Sequence, residues 1–207
     1  TAIKEGFQSV VDYWPDSVDA AKASYLIGKT YVDIGRVSYG KKAYQETIED
    51  YPDNPVAVYS LSAKSVNAQL IVVPARDFGH DLDAMAAAVT PSTRVVFVAN
   101  PNNPTGTYQD SASVEEFLEV LPTTVVTVVD EAYFEYVKDR NYPDGVGLLS
   151  RFPNLIVVRT FSKAYGLAGL RVGYAMASDQ ITEALTQTVQ HEDYGAKRVV
   201  TVRTSCR

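Results

Sequence analysis

The chain has 207 residues, room for one large or two small domains, and its 46% hydrophobic and 21% charged content is that of an ordinary globular protein. A formal net charge of −6 leaves no basic surplus to neutralise a phosphate backbone, which argues against nonspecific nucleic-acid binding. No apolar run approaches a membrane span, and the single cysteine, Cys206, excludes an internal disulfide and suits a reducing compartment. The start, Thr1-Ala-Ile-Lys-Glu-Gly6, lacks signal-peptide architecture but reads as the middle of an element, so a removed leader stays open.

The first 55 residues carry an internal repeat. Phe7-Gln-Ser-Val-Val-Asp-Tyr-Trp-Pro-Asp-Ser17 recurs 37 positions later as Tyr44-Gln-Glu-Thr-Ile-Glu-Asp-Tyr-Pro-Asp-Asn54. Between the copies, Ala21, Tyr25, Gly28 and Tyr31-Val32 follow helical spacing, and Gly35 is a natural helix stop. Small residues at 21 and 28 predict a closely packed neighbouring helix. A period of this length, with helical content and a proline closing each unit, resembles a tetratricopeptide-type repeat. About one and a half units are present, and such units need a neighbour to cover their apolar faces. Tyr13, Trp14, Tyr25, Tyr31, Tyr39 and Tyr44 are expected as the core of a helical hairpin; a groove for a protein partner is the alternative.

At Asn54-Pro55 the pattern changes to alternating helices and apolar strands. Leu70–Val73 reads as a strand, Asp81–Ala88 as a helix, and Arg94–Val98 as the next strand. Ser113–Glu116 opens a helix with a capping box. Thr124–Val129 and Leu155–Val158 complete the strands, and Asp179–Gln190 is an amphipathic helix. Strands apolar on both faces imply an α/β fold with a mainly parallel sheet covered by helices. In such sheets ligands bind beyond the carboxyl ends of the strands.

Three chemical motifs fall at such ends. Asn100-Pro-Asn-Asn-Pro-Thr-Gly106 is a rigid turn. Val129-Asp-Glu-Ala-Tyr133 ends a strand in a carboxylate, which is costly to bury without a charged partner. Arg159-Thr-Phe-Ser-Lys-Ala-Tyr-Gly-Leu-Ala-Gly-Leu-Arg-Val-Gly-Tyr174 sets Lys163 among hydroxyls, glycines and an arginine. Thr160, Ser162 and Arg171 are suited to hold a phosphate, Gly166 and Gly169 to let backbone approach closely, and Lys163 to attack a carbonyl of the same molecule. Each motif alone also reads as a plain turn, a capping aspartate or a solvated lysine; the surroundings of Lys163 favour the chemical reading.

The three motifs together resemble the fold-type I pyridoxal-phosphate (PLP) aminotransferases, most closely the histidinol-phosphate aminotransferases, over residues 56 to about 178. The resemblance implies a homodimer whose catalytic Lys163 forms a Schiff base with PLP and shuttles a proton. It implies that Asp130 keeps the PLP ring nitrogen protonated and that Asn103 and Tyr133 meet its phenolate oxygen. Thr160, Ser162 and Arg171 would hold its phosphate. Glutamate would be the donor, and the partner substrate a histidinol-phosphate-like or aromatic amino compound. Tyr165 and Tyr174 are expected to pack.

The chain departs from that family in several places. Family members run well beyond this length, and the upstream glycine turn and the ring-stacking aromatic have no counterpart here. Tyr194–Thr204 resembles the family's C-terminal strand with its register shifted, leaving Arg198 and Arg203 as weak candidates for gripping a substrate carboxylate. The expected organisation is therefore a helical repeat-like segment (1–55), a truncated PLP-binding core (56–178) and a small-domain remnant (179–207). A protein-interaction module and an inactive fragment are the alternatives. The setting expected is cytoplasmic, although the repeat would also fit a cell-envelope protein. His80 and His191 lie too far apart for a metal site, and Glu115, Glu116 and Glu119 read as a solvated helix face.

Overall fold

The computed structural model describes residues 2–15, 18–50, 59, 63, 66–103, 105–170, 172–191 and 198–203. It divides into two compact units, Thr1–Val72 and Val73–Arg207.

The first unit is built from α1 (Ala2–Tyr13), α2 (Val18–Asp33) and α3 (Val37–Asp50), with α2 packed on both of the others. The repeat is visible in the helix ends, since Tyr13 and Asp50 occupy corresponding positions. Gly35 stops α2 as expected, at φ 78°. Its N–H reaches Val32 O and that of Arg36 reaches Tyr31 O, the hydrogen bonds of a Schellman cap. The close helix approach foreseen at Gly28 is real: a Cβ there would lie 2.5 Å from Cδ1 of buried Tyr44. Tyr25 stacks on Tyr44, and Ser24 and Thr47 share a buried hydrogen bond of 2.7 Å.

The expectation that all six aromatics form core is corrected here. Tyr44 is buried, but Tyr13, Trp14 and Tyr39 are 76%, 64% and 58% exposed. Tyr13 and Trp14 stand at the C-terminal end of α1, where Trp14 N still bonds to Val10 O, and their rings lie against each other. The second copy's tail, residues 51–54, lies outside the described residues, as does the expected junction at Asn54-Pro55.

The second unit holds a five-stranded sheet in the order β1 (Val95–Ala99), β2 (Val126–Asp130), β3 (Leu155–Thr160), β4 (Val172–Ala177) and β5 (Arg198–Arg203). Only the β3–β4 pairing is antiparallel. Alternation along the strands sends side chains to both faces. Val129, Leu155, Val157 and Met176 pack with α5 (Ser111–Val120) and α6 (Gly145–Leu148), while Ile156, Ala175 and Ala177 pack with α7 (Asp179–His191). A short helix, α4 (Leu82–Ala87), closes a second cluster around Val98 and Phe117. Each Val, Leu, Ile, Phe or Met side chain so enclosed contributes about 1.5–3 kcal/mol of apolar burial.

Several local expectations change. Leu70–Val73 forms no strand: Ile71 and Val72 are exposed, and β1 is an edge strand with no described partner beyond it. An apolar run needs a ladder partner, and this one has none among the described residues. Helix α5 begins before Ser113, because Asp110 is the true N-cap and accepts the Ser113 N–H at 2.8 Å. Strand β4 went unforeseen within the lysine motif. Glu115 and Glu119 are not simply solvated, since both pair with Arg151.

Candidate active site

The parallel pairing of β1, β2 and β3 brings their carboxyl ends to one edge of the sheet. Ala99, Asp130 and Val158 stand level in the register, so the residues that follow each strand emerge side by side.

After β1, Asn100 is fully buried and organises the turn. Its Oδ1 accepts from Gln109 N at 2.8 Å and its Nδ2 donates to Gln109 O at 3.1 Å, while its own N–H reaches Asp130 O. Tyr142 donates its hydroxyl to Asn100 O, and burial pushes that phenol well above its ordinary pKa. The turn closes through Gly106 at φ 71°, a conformation that favours glycine. His80 steadies the same end of β1: its Nε2 accepts the Ala99 N–H at 3.1 Å, and burial holds its pKa below the usual value.

This scaffold presents Asn103 to Tyr133, whose hydroxyl accepts from Asn103 Nδ2 at 3.1 Å. Lys163 Nζ lies 5.4 Å from the centre of the Tyr133 ring. Asp130, three residues before Tyr133, ends β2 with its Oδ1 accepting from Ala132 N. Amine, carboxylate, amide and phenol from three sequence motifs therefore share one end of the sheet. A cleft of about 510 Å³ opens beside Asn103 and Tyr133, walled also by Tyr108, Tyr136 and Lys138. Lys163 does not line that cleft; it approaches Tyr133 from the β3 loop.

Thr160 ends β3, and its Oγ1 accepts the Ser162 N–H at 3.1 Å. Gly166 has φ 67° and its N–H bonds to Lys163 O, which curls the loop back on itself. Neither Gly166 nor Gly169 is pressed by a neighbour, so the expected close approach is replaced at Gly166 by a need for positive φ. Phe161 packs edge-on to Tyr165 and against Tyr174, as expected of packing residues, though Tyr165 is half-exposed.

The remaining candidates are not brought together in this way. Arg171 lies outside the described residues, as does Cys206. The β5 backbone sets Arg198 opposite Val172, at the Thr160 end of the sheet, and Arg203 opposite Ala177, level with Ile156 at the other end. Their separation is a full six-residue strand, roughly 17 Å. No group of His, Cys, Asp or Glu among the described residues could hold a metal ion.

Sequence reasoning missed the pair that underlies this arrangement. Glu131, fully buried, accepts from Arg159 Nε and Nη2, each at 2.8 Å, through its Oε2. Both residues stand inside the quoted motifs, and a charge beside each functional residue was the available signal.

The geometry belongs to a known class. The aminotransferase class I and II family model matches residues 57–192, and the chain is a member of that family. It is 56% identical over 140 residues to histidinol-phosphate aminotransferase 2 of Ralstonia nicotianae, covering 68% of this chain and 37% of that protein. Histidinol-phosphate aminotransferase 2 of Pseudomonas fluorescens is 41% identical over 201 residues, covering 91% of this chain and 54% of that protein. Among solved structures, the histidinol-phosphate aminotransferase of Sinorhizobium meliloti, crystallised with pyridoxal-5′-phosphate, aligns with a TM-score of 0.59 and 36% identity over 62% of this chain and 35% of its own. The chain thus spans about a third to a half of the length of these relatives. No helix among the described residues is long and apolar enough to cross a membrane.

Proposed function

We propose that this chain carries the PLP-binding core of an aminotransferase acting between glutamate/2-oxoglutarate and a histidinol-phosphate-like or aromatic amino compound. The observation that carries the reading is the convergence of Lys163, Tyr133 and Asn103 beside the strand end bearing Asp130. The donor set fits the cofactor, because it offers an amine, a carboxylate and two neutral hydrogen-bonding groups at one edge. Pyridoxal phosphate, when bound, supplies an electron-accepting ring and an aldehyde that a primary amine can join.

Lys163 Nζ would be the amine that holds the cofactor and, once a substrate amine has taken its place, the free base that would move the substrate's Cα proton. Asp130 would keep a proton on the cofactor's ring nitrogen, and Asn103 and Tyr133 would meet its phenolate oxygen. The Thr160 and Ser162 hydroxyls and Arg171 hold the phosphate. Arg198 is the better placed of the two strand arginines for a substrate carboxylate, since the register carries Arg203 to the far end. A helical segment over 1–55, a core over 56–178, a C-terminal piece over 179–207 and a homodimeric assembly complete the reading.

The test is cofactor uptake by the full chain, read from a new visible absorption band after PLP addition. Wild-type chain is expected to turn yellow, and Lys163→Ala to stay colourless. An equal band in Lys163→Ala would defeat the assignment.

A second reading rests on exposed Tyr13, Trp14 and Tyr39, which suit the helical unit to gripping a protein partner. It expects Trp14→Ser with Tyr39→Ser to abolish partner capture by the full chain while leaving the visible band unchanged. Capture undiminished by those changes would dismiss it.

A further inference from the structure

Backbone pairing between β2 and β3 ends where the site begins. The last such bond runs from Glu131 N to Val158 O at 2.9 Å. Beyond it, β2 turns away into the helical turn Phe134–Tyr136, while β3 continues to Thr160 paired with β4 on its other side. The segments Ala132-Tyr133 and Thr160-Lys163, which follow that last bond and Asp130, are thus released from their shared ladder just where their relative placement matters.

Side chains take over the connection. Arg159 gives Nε and Nη2 to one oxygen of Glu131 and lays its guanidinium 3.6 Å from the centre of the Phe134 ring. Glu131 and Phe134 bracket Ala132-Tyr133, and Arg159 precedes Thr160, so this one guanidinium spans both site-bearing segments. The other Glu131 oxygen lies against Gly145, where a Cβ would fall 2.3 Å away and 3.1 Å from Val157 Cγ2. The carboxylate therefore has little room to shift.

We infer that Glu131 and Arg159 are positioning residues, a buried clamp that fixes Asp130 and Tyr133 relative to Lys163; this rests on the PLP reading above. A buried ion pair is a poor source of net stability, because desolvation offsets its attraction. Here burial pushes the Glu131 carboxyl above its ordinary pKa and the Arg159 hydrogen bonds only oppose that rise. The function of the pair is accordingly geometric, and the side chains it acts through are Asp130, Tyr133 and Lys163.

The experiment uses the full chain with both charges replaced by apolar groups of similar length, Glu131→Met with Arg159→Met, and Glu131→Gln as the isosteric companion. Replacing both members spares the fold a stranded charge, so the double variant is expected to melt as wild type does. It should bind PLP about tenfold or more weakly, with a weakened or displaced visible band. Its Ala132 and Ser162 amides, tied to Asp130 Oδ1 and Thr160 Oγ1, should exchange hydrogen about tenfold or more faster without cofactor. Glu131→Gln should show the same changes in band and exchange. Wild-type affinity, band and exchange in a folded double variant would overturn the clamp while leaving the PLP reading intact. Should wild-type chain take up no PLP, the PLP reading fails; unchanged exchange at the two amides would then overturn the clamp's geometry separately.

Discussion

The two units bury different chemistry. The helical unit encloses an aromatic ring against glycine, and its buried hydroxyls Ser24 and Thr47 bond to each other between α2 and α3. Among the described residues the sheet unit buries Asn100, Thr127, Glu131, Asn154 and Thr182, and two of these, Asn100 and Glu131, directly follow the carboxyl ends of strands. The Ser24 and Thr47 hydroxyl pair joins the interior of one helix to the interior of another. The buried polar groups at the strand ends instead tie together the loops that follow the strands, as Asn100 does with Gln109 and Tyr142. That contrast separates a packing unit from one built to hold a ligand.

The comparison breaks most sharply at Asp130. Asp130→Ala is expected to lower PLP affinity about a hundredfold or more, by leaving a ring cation without its counter-charge, while melting changes little. Equilibrium titration with PLP checks it; affinity within about twofold of wild type would deny Asp130 its role.

The next effects are steric and fall in both units. Gly145→Ala pushes a Cβ into the clamped Glu131 carboxylate, and chemical denaturation should show a loss of about 1–3 kcal/mol. Gly28→Ala meets the buried Tyr44 ring at 2.5 Å and should cost a similar amount, reduced by up to about 1 kcal/mol of helix propensity. PLP uptake should suffer in the first variant and not in the second. Equal loss of uptake in both would erase the distinction between the units.

A smaller effect is one of pH. Burial lowers the His80 pKa, so the unfolded chain binds that proton more readily than the folded one. The stability this contributes is complete above the ordinary value near 6.5 and is lost as pH falls below it toward the folded-state value. His80→Gln should therefore lose less stability than wild type between about pH 7 and about pH 5. Identical slopes would show that His80 is not held neutral at the end of β1. Smallest of all, Trp14→Ser should move stability by no more than about 0.5 kcal/mol, since the ring is mostly exposed.

The sequence was most readable where its signals are local. Strands β1, β2 and β3 announce themselves as short apolar runs, and Gly35 and the three motifs by composition. Leu70–Val73 misled because an apolar run says nothing of a ladder partner. Strand β4 was hidden because Val172-Gly-Tyr-Ala-Met-Ala177 alternates small and large residues and begins inside a motif read for its chemistry. The contacts that escaped notice join distant positions: Glu131 with Arg159, 28 residues apart, and Arg151 with Glu115 and Glu119, 36 and 32 apart. No periodicity records such pairs, since only the closed sheet brings them together.

The account turns on a single amine. Incubating the full chain with PLP, reducing it with borohydride and weighing its proteolytic peptides tests that amine directly. The expected result is one cofactor-sized mass increment, confined to the peptide containing Lys163 and missing from Lys163→Ala. The same increment spread evenly over several lysines, or found on a peptide from the helical unit, would contradict it.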